Sequence, residues 1–273
     1  MIRNLRRNVG GFTILETIIV LTVMSALLAS ALLLFQQRIP KTQFQKSLNE
    51  LVSQMTDISN QVATGYYPNT NGYTCKVVSL GSSPTIDVNN HSNQGENQSC
   101  IFIGQAVKFG CGSECDKLKV YTIFGSRLNS SGQIASSMTD ARAKISSDFG
   151  TQEYTNGFGL SVEKVKVGSD NYSGVAYVQS FGSSLGGGSL NGASQVAIAP
   201  VGQSSNVSEP NNMFESHNFG FSSADLNPSS GILLCVKSGT TNQYALVILG
   251  ANGNAMNVEK QIVNKSDWDT KCS

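Results

Sequence analysis

Gly11-Phe12-Thr13-Ile14-Leu15-Glu16 opens an apolar run that continues to Phe35, and Glu16 is the only ionisable side chain between Phe12 and Phe35. As an α-helix the run would be about 36 Å long at ~1.5 Å per residue, against a bilayer hydrocarbon core of roughly 30 Å. The expectation is a helix that spans a membrane. Upstream, Arg3, Arg6 and Arg7 stand without an acidic neighbour, and the positive-inside bias keeps residues 1–11 in the cytoplasm and sends the rest outward. Glu16 is the anomaly. A carboxylate costs about 2.5–3.5 kcal/mol at the centre of a membrane helix, less near its end, and calls for a partner. The next basic residue downstream is Arg38. Cutting the chain after Gly11 would create a partner, because Phe12 would then carry an α-ammonium one helical turn from Glu16, able to neutralise it within one helix or between two.

The short basic leader, Gly11 before Phe12, Thr13, Glu16 and the unbroken apolar helix together resemble the class III signal of type IV prepilins and type II secretion pseudopilins. The resemblance is close over residues 1–35, loose over 36–65, and a matter of layout beyond. It implies a membrane-embedded prepilin peptidase that cuts between Gly11 and Phe12 and N-methylates Phe12. It also implies that Glu16 pairs with the N-terminal amine of a neighbouring subunit during filament assembly. The implied partners are the peptidase, other pilin subunits, the pilus assembly platform and, before assembly, the lipid bilayer; a surface or DNA ligand of the head stays open. The implied location is the cytoplasmic membrane as a single-pass precursor, N-in and C-out, and then a cell-surface filament. Two plainer readings compete. One is an ordinary membrane anchor that tolerates Glu16; the other is a secretory signal ending at Ala29-Ser30-Ala31. A carboxylate in the apolar region and a run that continues to Phe35 weigh against the second.

Past Phe35, Gln36, Gln37, Arg38 and Pro40 interrupt the apolar pattern, and proline predicts a kink or short break. Phe44, Leu48, Leu51, Met55, Ile58 and Val62 then recur at helical spacing on one stripe, suited to packing on the protein's own head or on a neighbour's helix. Gly65 is a C-terminal stop. The layout resembles a pilin stalk, without the proline that many pilins carry in the membrane half.

From Tyr66 the pattern changes to short β-rich runs between Gly, Ser and Asn clusters. Strands are predicted at 74–79, 100–109, 118–125, 159–167, 174–181, 194–201, 231–237, 243–249 and 256–263, a helix at 134–149, and long loops at 81–99, 182–193 and 202–230. Gly186-Gly187-Gly188 lacks the Lys-Ser/Thr of a phosphate-binding loop and reads as a surface loop. Low charge, 14% of residues, suits work outside the cell, and a formal net charge of +1 provides no broad basic field for nucleic acid. Lys117, Lys119, Lys164 and Lys166 form at most a local patch.

The six cysteines, Cys75, Cys100, Cys111, Cys115, Cys235 and Cys272, all follow the apolar run, and on the outward side of a membrane they read as disulfides. Cys75 and Cys100 flank a polar loop, so a bridge there would close the first β-excursion. Joining Cys235 to the penultimate Cys272 looks like the C-terminal disulfide-bounded region of many pilins and would contribute ~3–4 kcal/mol in the chain-entropy model. Cys111 and Cys115 would then pair. A zinc site built on them lacks a second closely spaced pair, since His91 and His217 stand alone. No Gly-x-Ser-x-Gly elbow, His-Glu-x-x-His helix or Ca²⁺ loop is present; no catalytic residue, metal or cofactor is expected.

The sequence therefore predicts an α+β protein: a leader at 1–11, a transmembrane and filament-core helix at 12–35, an amphipathic stalk helix at 36–65, and a disulfide-stapled, mainly antiparallel β-rich head at 66–273. The long helix, membrane half plus amphipathic half, would pack on the head. The expected role is a structural pilus subunit, minor or at the tip given the large head, serving adhesion, motility, DNA uptake or secretion. The alternative is a membrane-anchored or secreted binding protein that does not polymerise.

Overall fold

Phe44, Leu48, Leu51, Met55, Ile58 and Val62 are each at most 3% exposed and sit in one hydrophobic core. They belong to α1 (Ile14–Thr64), which ends where Gly65 takes a left-handed φ of +68° and its N–H reaches the Val62 carbonyl at 3.1 Å. Glycine adopts that conformation without a Cβ penalty. The computed structural model describes residues 13–65, 73–87, 99–110, 115–146, 151–179, 196–202, 221, 225–239 and 241–273, with the side chains at 31–38 excepted. The chain divides into two compact units, Met1–Gln43 and Phe44–Ser273.

The second unit, the head, is built on strands. In chain order these are β1 (Thr74–Lys76), β2 (Thr85–Asp87), β3 (Cys100–Phe109), β4 (Lys117–Ser126), β5 (Lys144–Ile145), β6 (Gln152–Thr155) and β7 (Leu160–Val167). They continue with β8 (Asp170–Tyr172), β9 (Gly174–Gln179), β10 (Val196–Val201), β11 (Ile232–Ser238), β12 (Tyr244–Leu249) and β13 (Val258–Val263), and α2 (Lys265–Cys272) follows. A six-stranded sheet has the order β10-β9-β3-β4-β5, with β6 also paired to β4. A five-stranded sheet runs β13-β12-β11-β7-β8, and β1-β2 is a separate ribbon. Every pairing is antiparallel.

Alternation along the strands sorts the cores. Val107, Phe109, Val120, Val175, Tyr177 and Ile198 of the six-stranded sheet share one cluster with Val162, Leu234, Val236, Val247 and the α1 stripe. The opposite face of the six-stranded sheet, with Ala106, Ile123, Val178 and Ala199, is covered by Ala135, Met138, Ala141 and Ala143. On the far side of the five-stranded sheet, Cys235 and Leu246 lie under α2 with Trp268 and Cys272. The edge strand β10 is buried along its whole length, and its free backbone is paired by a loop. Asn227 accepts the Ile198 N–H on its side-chain oxygen at 2.9 Å and donates its own N–H to the Ile198 carbonyl at 2.7 Å. Pro200 removes a further edge donor, so the edge is closed to foreign strands.

Several expectations need correction. The α+β layout with one long helix, membrane half plus amphipathic half, packed on a pilin-like head is overturned. Three antiparallel sheets dominate the described residues, and only α1 residues from Phe44 onward enter the head's core. The single-pass, N-in and C-out membrane location is overturned as well, because no helix among the described residues is long and apolar enough to cross a membrane. The sequence reading took the apolar run from Phe12 to Phe35 as the full span. The helix also continues through Pro40; loss of one N–H is tolerated where the flanking turns hold.

The helix expected at 134–149 is absent from its described part, which holds turns and the short β5. Ser136 Oγ donates to Asp140 and Ser137 Oγ accepts the Asp140 N–H, at 2.8 and 3.0 Å, local bonds that compete with helix formation. Each predicted strand run does contain a strand, but β2, β5, β6 and β8 were missed, being two to four residues long.

Three polar side chains interrupt the sheet face toward α1. Thr122, Gln105 and Tyr177 are direct cross-strand neighbours on β4, β3 and β9, all at most 1% exposed. Gln105 Nε2 donates to Gln61 of α1 at 3.2 Å, while the Thr122 hydroxyl and the Tyr177 hydroxyl have no hydrogen-bond partner among the described residues. Burial pushes the Tyr177 phenol well above its ordinary value of 10.0. The folded state then holds the proton more tightly than the unfolded state, so this group leaves stability untouched below pH ~10 and erodes it as pH rises further. Tyr177→Phe is expected to leave neutral-pH stability unchanged or raise it by about 1 kcal/mol, since an unpaired buried hydroxyl is lost, and to flatten the alkaline slope. Urea unfolding at pH 7 and pH 11 checks both.

Candidate functional site

Thr13-x-x-Glu16 is a capping box, the arrangement in which a threonine and a glutamate three residues apart satisfy each other's backbone donors. The Thr13 hydroxyl accepts the Glu16 N–H at 3.3 Å, and the Glu16 carboxylate accepts the Thr13 N–H and hydroxyl at 3.0 and 3.1 Å. Glu16 also lies in the first turn of α1, where a negative charge meets the positive end of the helix dipole. Sequence reasoning sought a cation for this carboxylate and passed over the threonine, although Ser/Thr-x-x-Glu before an apolar run is legible as a helix start. Gly11 and Phe12 lie outside the described residues.

Beyond the cap the helix is apolar on all sides. Ile14, Leu15, Leu21, Met24, Leu27 and Leu28 are 65–80% exposed, and Ile18, Ile19, Val20 and Val23 are 50–53% exposed. Its hydroxyls make no outward demand, since Thr17, Thr22, Ser25 and Ser30 donate to carbonyls three or four residues back, at 2.7–2.8 Å. A helix that is apolar all round belongs inside something.

Four of the described cysteines form two bridges. Cys75–Cys100 has a Cα separation of 6.2 Å and closes the β1-β2 ribbon onto β3, beside Tyr73 and Phe124. Cys235–Cys272, at 5.9 Å, ties α2 to β11, with the Trp268 ring tilted against Tyr244 at 5.4 Å between centroids. Asn264 caps α2 by accepting the Asp267 N–H at 2.8 Å. Cys115 is half-buried and its carbonyl accepts from Val162 at 3.0 Å; Cys111, and with it the expected Cys111–Cys115 bridge, lies outside the described residues. So do His91 and His217. Among the described residues no group of three or more His, Cys, Asp and Glu side chains is placed to hold a metal.

The lysines singled out in the sequence are not one patch. Lys117 and Lys119 flank Glu153 at 3.4 and 3.5 Å, exposed pairs worth ~0–1 kcal/mol. Lys166 is 8% exposed and donates to the Ser273 oxygen at 2.6 Å, which ties the C-terminal segment to β7 as the disulfide ties it to β11. One feature that no sequence signal announced is Phe158, half-exposed at a φ of +53°. It is held between Gly157, whose carbonyl accepts from Ser47 at 2.7 Å, and Gly159, whose carbonyl accepts from Gly239 at 2.6 Å, with Lys46 Nζ 5.8 Å from its ring.

Comparison with family models, with curated proteins and with solved structures finds no match to this chain.

Proposed function

We propose that this chain is a structural subunit of a type IV pilus-like filament, cut by a prepilin-type peptidase between Gly11 and Phe12 and methylated at Phe12. The observation that carries the reading is the helix from Ile14 to Leu28, exposed over all its faces and apolar on each. Burying a leucine or isoleucine contributes ~1.5–3 kcal/mol, so the same helix from other copies is a sufficient cover, and a bundle of such helices forms the filament core. Thr13 and Glu16 define where the helix starts. In the assembled filament the Glu16 carboxylate receives the Phe12 amine of a neighbour, a pairing that sets the register of one subunit on the next. The peptidase, sibling subunits and an assembly platform are the partners in this reading. The bridged head serves adhesion, motility, DNA uptake or secretion as a minor or tip subunit.

Mass mapping of the N-terminus of protein taken from cells tests the reading. A start at methylated Phe12 supports it. A start at Leu32 means a secreted protein that does not polymerise, and retention of Met1 means no processing; either result refutes it. Glu16→Ala is expected to leave cleavage intact and to lower filament incorporation at least tenfold, read by immunoblotting sheared filaments against whole cells. Normal incorporation would refute the pairing role.

A further inference from the structure

Two turns of the head bring four aliphatic side chains to its surface. Val78 is 85% exposed, Ile134 72%, Leu80 58% and Leu128 37%. They converge. A Cβ built on Gly132 would lie 3.8 Å from Leu80 Cδ1, one on Gly81 would lie 2.7 Å from Ser130 Cβ, and Leu128 and Ile134 form a β-bridge. Both turns are stiffened by local bonds: Ser82 donates N–H and hydroxyl to the Ser79 carbonyl at 3.0 and 2.8 Å, and the Asn129 side chain accepts the N–H groups of Ser131 and Gln133, each at 3.0 Å. They also spring from one anchored corner, because Cys75 is bridged to Cys100 and the Arg127 N–H donates to the Ser99 carbonyl at 2.8 Å.

We propose that this corner, residues 76–82 and 127–134, is a docking surface for an anionic lipid bilayer. Side chains as exposed as Val78 and Ile134 protrude, and protruding aliphatic tips suit insertion into a yielding surface better than a flat protein interface. Exposed Lys76 and Arg127 flank the tips, and neither turn contains an acidic side chain. Further along the chain Arg142 and Lys144 accompany Asp140, and Asp87 lies at the far end of the β1-β2 ribbon, paired with Thr74. Apolar insertion combined with cations at headgroup level is the chemistry of a peripheral membrane contact. The inference stands apart from the filament reading.

Because the exposed helix of the full chain can itself associate with lipid, binding alone is not the readout. A tryptophan at Ile134 (I134W) in a Trp268→Phe background reports the corner, since tryptophan fluorescence is quenched on contact with brominated acyl chains. With brominated phosphatidylglycerol vesicles, I134W is expected to shift to the blue and to lose at least half its intensity, whereas F158W in the same background keeps its intensity. Lys76→Gln with Arg127→Gln is expected to raise the vesicle concentration needed about tenfold or more, at ~1 kcal/mol per cation near an anionic surface. Absence of quenching on anionic vesicles, equal quenching on phosphatidylcholine vesicles, or equal quenching of F158W each overturns the proposal.

Discussion

Replacing Gly104 with alanine is expected to destabilise the head by at least ~3 kcal/mol, and the variant is expected to be recovered mainly as aggregate. Gly104 sits in the central strand β3, where the register with β4 shifts between Phe102 and Gly104 and where it pairs with Val178 on the other side. A Cβ there would lie 2.0 Å from the Tyr177 carbonyl oxygen and 2.8 Å from Val178 Cα. Both are backbone atoms of a strand hydrogen-bonded on each edge, so neither can step aside without breaking the β3-β9 ladder. Bulges and interior-strand glycines mark such close backbone approaches. Gly168→Ala is the matched control: its φ is +59° and no atom lies within 4 Å of the added Cβ, so it carries only the ~1–2 kcal/mol conformational term. Urea midpoints of the two variants, compared with the parent, separate the terms. Equal shifts would show that β9 yields and that the close approach is not a constraint.

Cys235→Ser with Cys272→Ser is expected to cost about 4 kcal/mol, from a bridge with a sequence separation of 37 and the chain-entropy model. The loss should concentrate at the C-terminus, because the bridge, the Trp268–Tyr244 contact and the Lys166–Ser273 hydrogen bond are the ties that hold α2 on the outer face of the five-stranded sheet. Denaturant unfolding gives the magnitude, and hydrogen exchange of α2 against β11 shows the place. Adding reductant to the parent should reproduce the effect and extend it through Cys75–Cys100, while the double serine variant should still respond through the loss of Cys75–Cys100. A stability change under about 1 kcal/mol in the double variant would mean that α2 docking rests on the Trp268–Tyr244 contact and the Lys166–Ser273 hydrogen bond.

Much of the head is legible in the sequence. Alternating aliphatics locate Cys100–Phe109 and Ile232–Ser238 as strands because burial on a pleated surface has period two. Phe44 to Val62 announce a buried stripe because period 3.6 leaves no other way to cover it. The strands that escaped notice, such as Thr85–Asp87 and Asp170–Tyr172, are short and partly exposed, so their pattern carries no burial signal. The span from Phe12 to Phe35 was misjudged for a related reason. Apolar length in sequence measures what a segment would bury, and says nothing of what covers it. Glu16 teaches the same lesson at one residue, since a carboxylate that looked stranded is held by Thr13, three positions earlier.

By itself the sequence determined the local preferences: where chain reverses at glycine and asparagine, which runs are pleated, which stripe of α1 needs cover, and that Cys235 and Cys272 could be joined. Tertiary structure alone decided that Gly104 must have no side chain, that Asn227 closes the edge of β10, and that Thr122, Gln105 and Tyr177 share one buried row. The division has a physical origin. Propensity and periodicity act between residues a few positions apart, whereas close approach, edge pairing and cross-sheet rows join residues tens of positions apart, and only the folded chain brings those together.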